Sequence, residues 1–325
     1  MRRPRALAEP GRPGLYHVCS RVVDRRVIFG DRERRVFMRM IKGGAAFAGV
    51  DLVSWCLMGN HFHVLVRVPV VYAEDLSDEE VLARMESIYT EPRMRHFRGI
   101  WERIGSIHGR KEFLAPFRAR MGNLSDFVKT LKQRFTQWFN RHNNREGTLW
   151  EGRFHSVMLS HNEESDGQDL GVLARFVAGY IDLNPVRAKV VGDTVESDWS
   201  GFGAASRGDL EGLAGLRLLW GTKATRGLND AAVLRMHGEM LAKARFIGRK
   251  GAAGHEVEEA VGGDSGLGVE MARGRGTSSG GEKPGSPGVC TEAEAGLLSR
   301  MGQRCDALTK GYSLGRRWVV EQGGP

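Results

Sequence analysis

Two strand-like segments, residues 50–57 and 64–68, are separated by Gly59-Asn60 and a pair of histidines, His61-Phe62-His63. Both segments are rich in β-branched and large apolar residues, which predicts two strands joined by a tight turn. Successive side chains of a strand point to opposite faces, so His61 and His63 should project together, away from Phe62. The pattern predicts either a pair of metal-ligating imidazoles or two histidines on the solvated face of a hairpin.

A second pattern occupies residues 172–188, where apolar residues recur at helical spacing as far as Ile181. Pro185 should end this helix, because the residue before a proline is pushed out of the α region. Tyr180 and Asn184 are four residues apart, so a continuous helix places them on one face. Taken alone, Tyr180 is also typical of a core residue with its hydroxyl at the surface. Asn184-Pro185 is equally an ordinary helix-ending pair.

The two patterns together resemble the single-tyrosine HUH transposases, and specifically the REP-associated tyrosine transposases. The resemblance covers residues 14–205, with two departures. The chain has an extra segment between about Asp75 and Met121. It also has Val22-Val23-Asp24 where the family more often has glycine and asparagine. The stretches that carry it are His61-Phe62-His63, Tyr180-Ile181-Asp182-Leu183-Asn184-Pro185-Val186-Arg187-Ala188, Tyr16-His17-Val18, Phe139-Asn140-Arg141-His142, Leu149-Trp150-Glu151-Gly152-Arg153-Phe154 and Trp199-Ser200-Gly201-Phe202.

The predicted order of elements agrees with the fold that the resemblance implies. Strands at residues 15–23, 50–57, 61–68 and 153–159 alternate with helices at 31–47, which Asp31 should cap, and at 124–141. Strand, helix, strand, strand, helix, strand is the order of a ferredoxin-like α+β sheet. We therefore expect an antiparallel sheet with helices on one face, of the HUH endonuclease type, followed by a helical and disordered C-terminal extension.

The resemblance also implies a site. His61, His63 and Asn184 look like ligands of a divalent metal, Mg²⁺ or Mn²⁺, and Tyr180 looks like the nucleophile. A tyrosine oxygen that attacks a DNA phosphodiester keeps the ester bond energy in a phosphotyrosine, so the strand can be rejoined without a nucleotide cofactor. A metal with open positions polarises and orients the phosphate oxygens. Nothing in the sequence identifies a dedicated general base.

Charge agrees with a nucleic-acid partner. Lysine and arginine number 48 against 39 acidic residues, which gives a net charge of +9 and favours a polyanion. Residues 124–141 combine an apolar helical stripe with lysine and arginine residues that fall largely outside it. This basic face is either a candidate binding surface for DNA phosphates or simply a solvated face. The predicted DNA-binding residues are Lys129, Lys132, Arg134, Arg141, Arg153 and Arg187.

The chain divides by pattern into five parts. Residues 1–12 should be a flexible basic arm, 13–205 the transposase-like domain with a helical insertion at about 75–121, 206–247 a helical extension, 248–290 a flexible linker and 291–325 a small helical segment. The four cysteines are scattered, and Cys56 near His61 lacks the partners of a structural zinc site. No apolar run is long enough to span a membrane, so a cytoplasmic protein is expected.

The predicted activity is metal-dependent cleavage and rejoining of single-stranded DNA through Tyr180. A hairpin substrate and a possible homodimer are implied by the resemblance alone. Two other classes are weighed against it: a non-catalytic nucleic-acid binder of the same fold, which needs none of the four site residues, and a metal-dependent hydrolase, which does not need Tyr180.

Overall fold

The computed structural model describes residues 7–8, 11–71, 74–159 and 170–250, and its sheet has four antiparallel strands. They are β1 (Gly14–Arg21), β2 (Asp51–Leu57), β3 (His61–Val68) and β4 (His155–Leu159), in the order β2-β3-β1-β4. Helix α1 (Asp31–Ala48) connects β1 to β2, and β3 lies between those two strands. Both central strands are thus paired on each side.

Eleven α-helical segments lie in the described part of the chain. Besides α1 they are α2 (Asp78–Glu86), α3 (Glu91–Arg103), α4 (Ile107–Arg118), α5 (Leu124–His142), α6 (Gly171–Asp182), α7 (Asn184–Arg187), α8 (Gly201–Ser206), α9 (Leu210–Trp220), α10 (Thr222–Thr225) and α11 (Asp230–Lys250). The predicted helices at 31–47 and 124–141 are confirmed to within one residue at each end. The predicted cap of α1 is wrong, because Gly30 holds the N-cap position and Asp31 lies in the first turn. A carboxylate there still favours the positive end of the helix dipole.

Helices cover both faces of the sheet, so the expectation of helices on one face is wrong. One face packs against α1 and α5 through Phe62, Val64 and other residues of alternate strand positions. The opposite face, which includes Leu65, packs against α6 and α9. The physical reason is that the second face also carries apolar residues, Leu15, Val53 and Leu65 among them, so each face must be removed from water.

Residues 78–118 form three helices with a hydrophobic cluster of their own, and Phe47 joins that cluster to α1. Ser77 and Glu80 make a capping box at the start of α2. The helical character expected for 75–121 is therefore present. The division of the chain into domains stays a prediction.

Two of the helices after residue 200, α8 and α9, pack onto β2. At Gly215 a Cβ atom would lie 2.6 Å from the carbonyl oxygen of Val53, so only glycine lets α9 approach that closely. Helix α11 extends to Lys250, past the start expected for the linker. The rest of the linker, residues 291–325 and most of the basic arm lie outside the described residues. Among the helices that are described, none has the length and apolar character to cross a bilayer.

Candidate metal and tyrosine site

The site lies on the sheet face that α6 covers. His17 on β1 and His61 and His63 on β3 are at most 3% exposed. The alternative of two histidines on a solvated hairpin face is therefore wrong. Burial of three imidazoles at one end of a small sheet requires that their ring nitrogens have partners or a ligand.

Asn60 fixes the tautomer of His61. Its side-chain amide donates to the carbonyl oxygen of Arg25 at 2.8 Å, which turns the amide oxygen towards His61 Nδ1 at 2.7 Å. Since that oxygen can only accept, Nδ1 of His61 carries the hydrogen, an assignment made from the network. Nε2 of His61 then presents a lone pair, and it is buried without a hydrogen-bond partner among the described residues.

His17 does the equivalent for His63. Nε2 of His17 lies 3.0 Å from Nδ1 of His63, and the two rings are stacked with an interplanar angle of 16°. Nε2 of His63 is buried and, within the described ranges, has no hydrogen-bond partner. When Nδ1 of His63 donates to His17, Nε2 of His63 is left as a free lone pair. This is how an outer partner orients a metal-ligating histidine.

Burial keeps all three imidazoles neutral. It lowers the pKa of His17 from 6.5 to about 4 and, with the nearby Arg21 guanidinium, that of His61 to about 3. The pKa of His63 is held well below 6.5, first by burial and then by the neighbouring His61, His17 and Arg21. Neutral imidazole is the form that binds a metal.

Asn184 supplies a buried amide four residues after Tyr180. Helix α6 ends at Asp182, before Pro185 as predicted. The expectation that the residue before the proline leaves the α region is wrong, because Leu183 has helical backbone angles and Asn184 begins the short α7, which contains Pro185. Asn184 is 1% exposed, and neither its amide oxygen nor its amide nitrogen has a hydrogen-bond partner in the described structure. An ordinary helix-ending asparagine would not bury both groups unpaired.

Tyr180 stands beside the histidines. Its ring centroid lies 6.0 Å from that of His63 and 6.4 Å from that of His17, both edge-on. The Arg187 guanidinium lies over the ring at 5.0 Å, a cation–π contact. Tyr180 is half-buried and packs against the apolar cluster of this face, so its ring is anchored.

The donor set fits a divalent cation. Two imidazole Nε2 atoms and one amide oxygen are neutral ligands of the kind that Mn²⁺ accepts, while Mg²⁺ prefers oxygen. No three histidine, cysteine or acidic side chains in the described ranges are grouped to hold a metal. Burial raises the pKa of the Cys56 thiol, which keeps it protonated and argues against a zinc thiolate.

The predicted DNA-binding residues fall into two groups. Lys129, Arg141, Arg153 and Arg187 are exposed. Lys132 is buried, with its ammonium 2.7 Å from the Gly152 carbonyl oxygen and over the Trp150 ring, so its predicted place on the outer face is wrong. The cause is the loop at 148–154, which folds over α5. Arg134 is half-buried and donates to the Ile88 carbonyl at 2.6 Å.

A buried carboxylate next to the site was missed from sequence. Asp182 accepts from the backbone N–H of Phe202 at 3.1 Å, from the Ser54 hydroxyl at 3.3 Å and from His237 Nε2 at 3.1 Å. His237 Nδ1 in turn accepts from the Trp220 indole at 3.3 Å. The signal available was an acidic residue inside an apolar helix end, between Tyr180 and Asn184.

Asn60 and His17, which contact His61 and His63, were assigned no role from the sequence. Asn60 directly precedes the histidine pair and His17 stands in a strand motif, but their roles depend on which atoms face each other across the sheet.

Comparison with solved structures gives a distant likeness. No protein-family model matches the chain, and no curated protein matches it. A solved structure described as the REP-associated tyrosine transposase bound to a REP hairpin aligns with a TM-score of 0.39 and 14% sequence identity. The alignment covers 65% of this chain and 88% of the other. The function proposed below rests on the site and its motifs.

Proposed function

We propose that this protein is a metal-dependent, single-tyrosine DNA strand transferase with a ferredoxin-like sheet of the HUH type. One observation carries the proposal. Buried side-chain atoms of His61, His63 and Asn184 that have no hydrogen-bond partner in the described part of the chain occur together with a tyrosine ring held against the histidines. Unpaired buried polar atoms cost about 1–3 kcal/mol each. A bound cation would compensate that cost.

His61, His63 and Asn184 would hold the metal, which supplies charge to polarise and orient the oxygens of a phosphodiester. Tyr180 Oη would attack the phosphorus, forming a new O–P bond as the bond to one deoxyribose oxygen breaks. That oxygen leaves with a proton as a free hydroxyl, and the phenol gives up its own proton to solvent. Reversal of the same step rejoins the strand, so bond energy is conserved.

The remaining side chains would position and neutralise. Arg187 over the Tyr180 ring would stabilise the phenolate as it forms. Lys129, Arg141 and Arg153 are exposed and would contact the strand backbone. The hairpin substrate rests on the family resemblance alone, and the homodimer and cytoplasmic location stay predictions.

The test is the covalent adduct. Incubation with a labelled single-stranded hairpin and Mn²⁺ should give a protein–DNA species that survives denaturing electrophoresis, and Tyr180→Phe should abolish it while the fold persists. Tyr89→Phe is a matched control, because that hydroxyl lies in the insertion and contacts Arg120. Cleavage without an adduct would indicate a hydrolase, and binding without either would indicate a non-catalytic binder.

A further inference from the structure

A cavity of about 430 Å³ lies away from the histidines, between α1, α5 and the connection from α2 to α3. Its volume is in the range of small-ligand pockets. Much of its wall is apolar or aromatic, with Phe47, Phe127 and Trp138 contributing rings and Ile88 an aliphatic side chain. It exists because the insertion at 75–121 packs against the sheet-covering helices.

Two glycines of α1 allow this packing. At Gly43 a Cβ atom would lie 2.4 Å from the backbone oxygen of Ser87, and at Gly44 it would lie 3.1 Å from the Phe127 ring. The Ser87 hydroxyl also donates to the Gly43 carbonyl at 2.9 Å. Each glycine in a helix interior lowers helix stability by about 1 kcal/mol relative to alanine. The close packing of α1 against Ser87 and Phe127 offsets this loss.

The cavity carries an excess of positive charge. Arg39, Arg120 and Arg134 line it together with one carboxylate, Asp126. Arg120 pairs with Asp126 at 3.4 Å. Arg39 is exposed and Arg134 donates to a backbone carbonyl, and neither has a carboxylate partner among the described residues. Burial lowers the pKa of the Arg134 guanidinium, the direction that an anion at this place would reverse.

We propose that this cavity is a second ligand site, which binds a planar nucleobase carrying a phosphate. Aromatic and aliphatic walls accept the flat base, and two guanidinium groups without acidic partners accept the phosphate. The nucleotide could belong to the DNA strand or be free in solution, since both present the same chemistry. The proposal does not depend on strand cleavage at Tyr180.

The probe is 2′-deoxyadenosine 5′-monophosphate, titrated into the full chain by calorimetry. Arg39→Gln should weaken its binding about tenfold, the loss of one charge-assisted hydrogen bond. Arg35→Gln is the matched control, because Arg35 is equally exposed one turn earlier on α1 and does not line the cavity. Adenosine, which lacks the phosphate, should bind both variants alike.

Competition separates the two sources. If a single-stranded oligonucleotide displaces the nucleotide, the site takes a base of the strand; if it does not, the site takes a free nucleotide. Ile88→Trp should block binding by filling the cavity, with a thermal unfolding curve to confirm that the variant folds. Absence of binding, or equal binding by the Arg39 and Arg35 variants, overturns the proposal, while formation of the Tyr180 adduct would be unaffected by that failure.

Discussion

Replacing Asp182 by asparagine should destabilise the protein by about 3–5 kcal/mol, although the two side chains have nearly the same shape. Asp182 is fully buried, and all three of its partners donate to it. Trp220 can only donate, so His237 must accept at Nδ1 and donate from Nε2. The carboxylate is therefore an acceptor at both oxygens.

No arrangement of an amide satisfies this network. With its nitrogen towards His237, two donors face each other, and a change of the His237 tautomer only moves the conflict to Trp220. With its nitrogen towards Phe202, the amide faces a backbone N–H that cannot reverse. Each arrangement leaves buried donors unpaired at about 1–3 kcal/mol each and loses a charge-assisted bond of about 1.5–3 kcal/mol.

The assay is urea unfolding followed by circular dichroism, with two comparison variants. Ser54→Ala removes only the longest of the three bonds, at 3.3 Å, and should cost about 1 kcal/mol. His237→Gln keeps one donor and one acceptor, so it should be much milder than Asp182→Asn. If Asp182→Asn and Ser54→Ala unfold at the same urea concentration, the donor–donor argument is refuted.

Three further predictions follow from single contacts. Asn60→Ala should weaken Mn²⁺ binding by about 10–100-fold in calorimetry, because His61 loses the acceptor that fixes its tautomer. Asn60→Asp keeps an acceptor and should retain most of the affinity. Equal loss in both variants would contradict the tautomer assigned to His61. In metal-free protein, burial of neutral His17 should remove about 3 kcal/mol of stability as the pH falls from 6.5 to about 4, since the unfolded chain binds the proton first. His61 and His63, whose pKa values are also lowered, add a loss of the same sign, and urea curves that do not shift over that range would exclude it. Gly215→Ala should lower the unfolding temperature by forcing α9 away from β2. Gly99 has open space around it, so Gly99→Ala should leave the unfolding temperature unchanged or raise it. A lower unfolding temperature for Gly99→Ala than for Gly215→Ala would contradict the close packing of α9 on β2.

The sequence was sufficient for elements whose signal is local. The strands around Gly59-Asn60, the helices at 31–48 and 124–142 and the break before Pro185 each depend on spacing or on a terminator within a few residues. The shared face of His61 and His63 follows in the same way from the period of a strand.

Features that depend on distant contacts were not accessible in this way. Asp182 is bonded to side chains 128 and 55 positions away, and no window of sequence shows such a network. Lys132 falls on the expected polar side of its helix, but the loop at 148–154 covers it. Which helix covers which face of the sheet likewise depends on the tertiary fold, and this is why the one-sided arrangement was wrong.

The buried polar groups around α6 divide into two kinds. At Asp182 every oxygen has a donor and His237 has a partner on each nitrogen, so this set is complete and can only stabilise. Around the histidines, Asn60 and His17 satisfy one nitrogen of each ring and leave the other nitrogen, with the Asn184 amide, unpaired. The pattern is the one expected where outer-shell bonds orient ligands for a cation, and it is the physical ground for placing the chemistry at Tyr180.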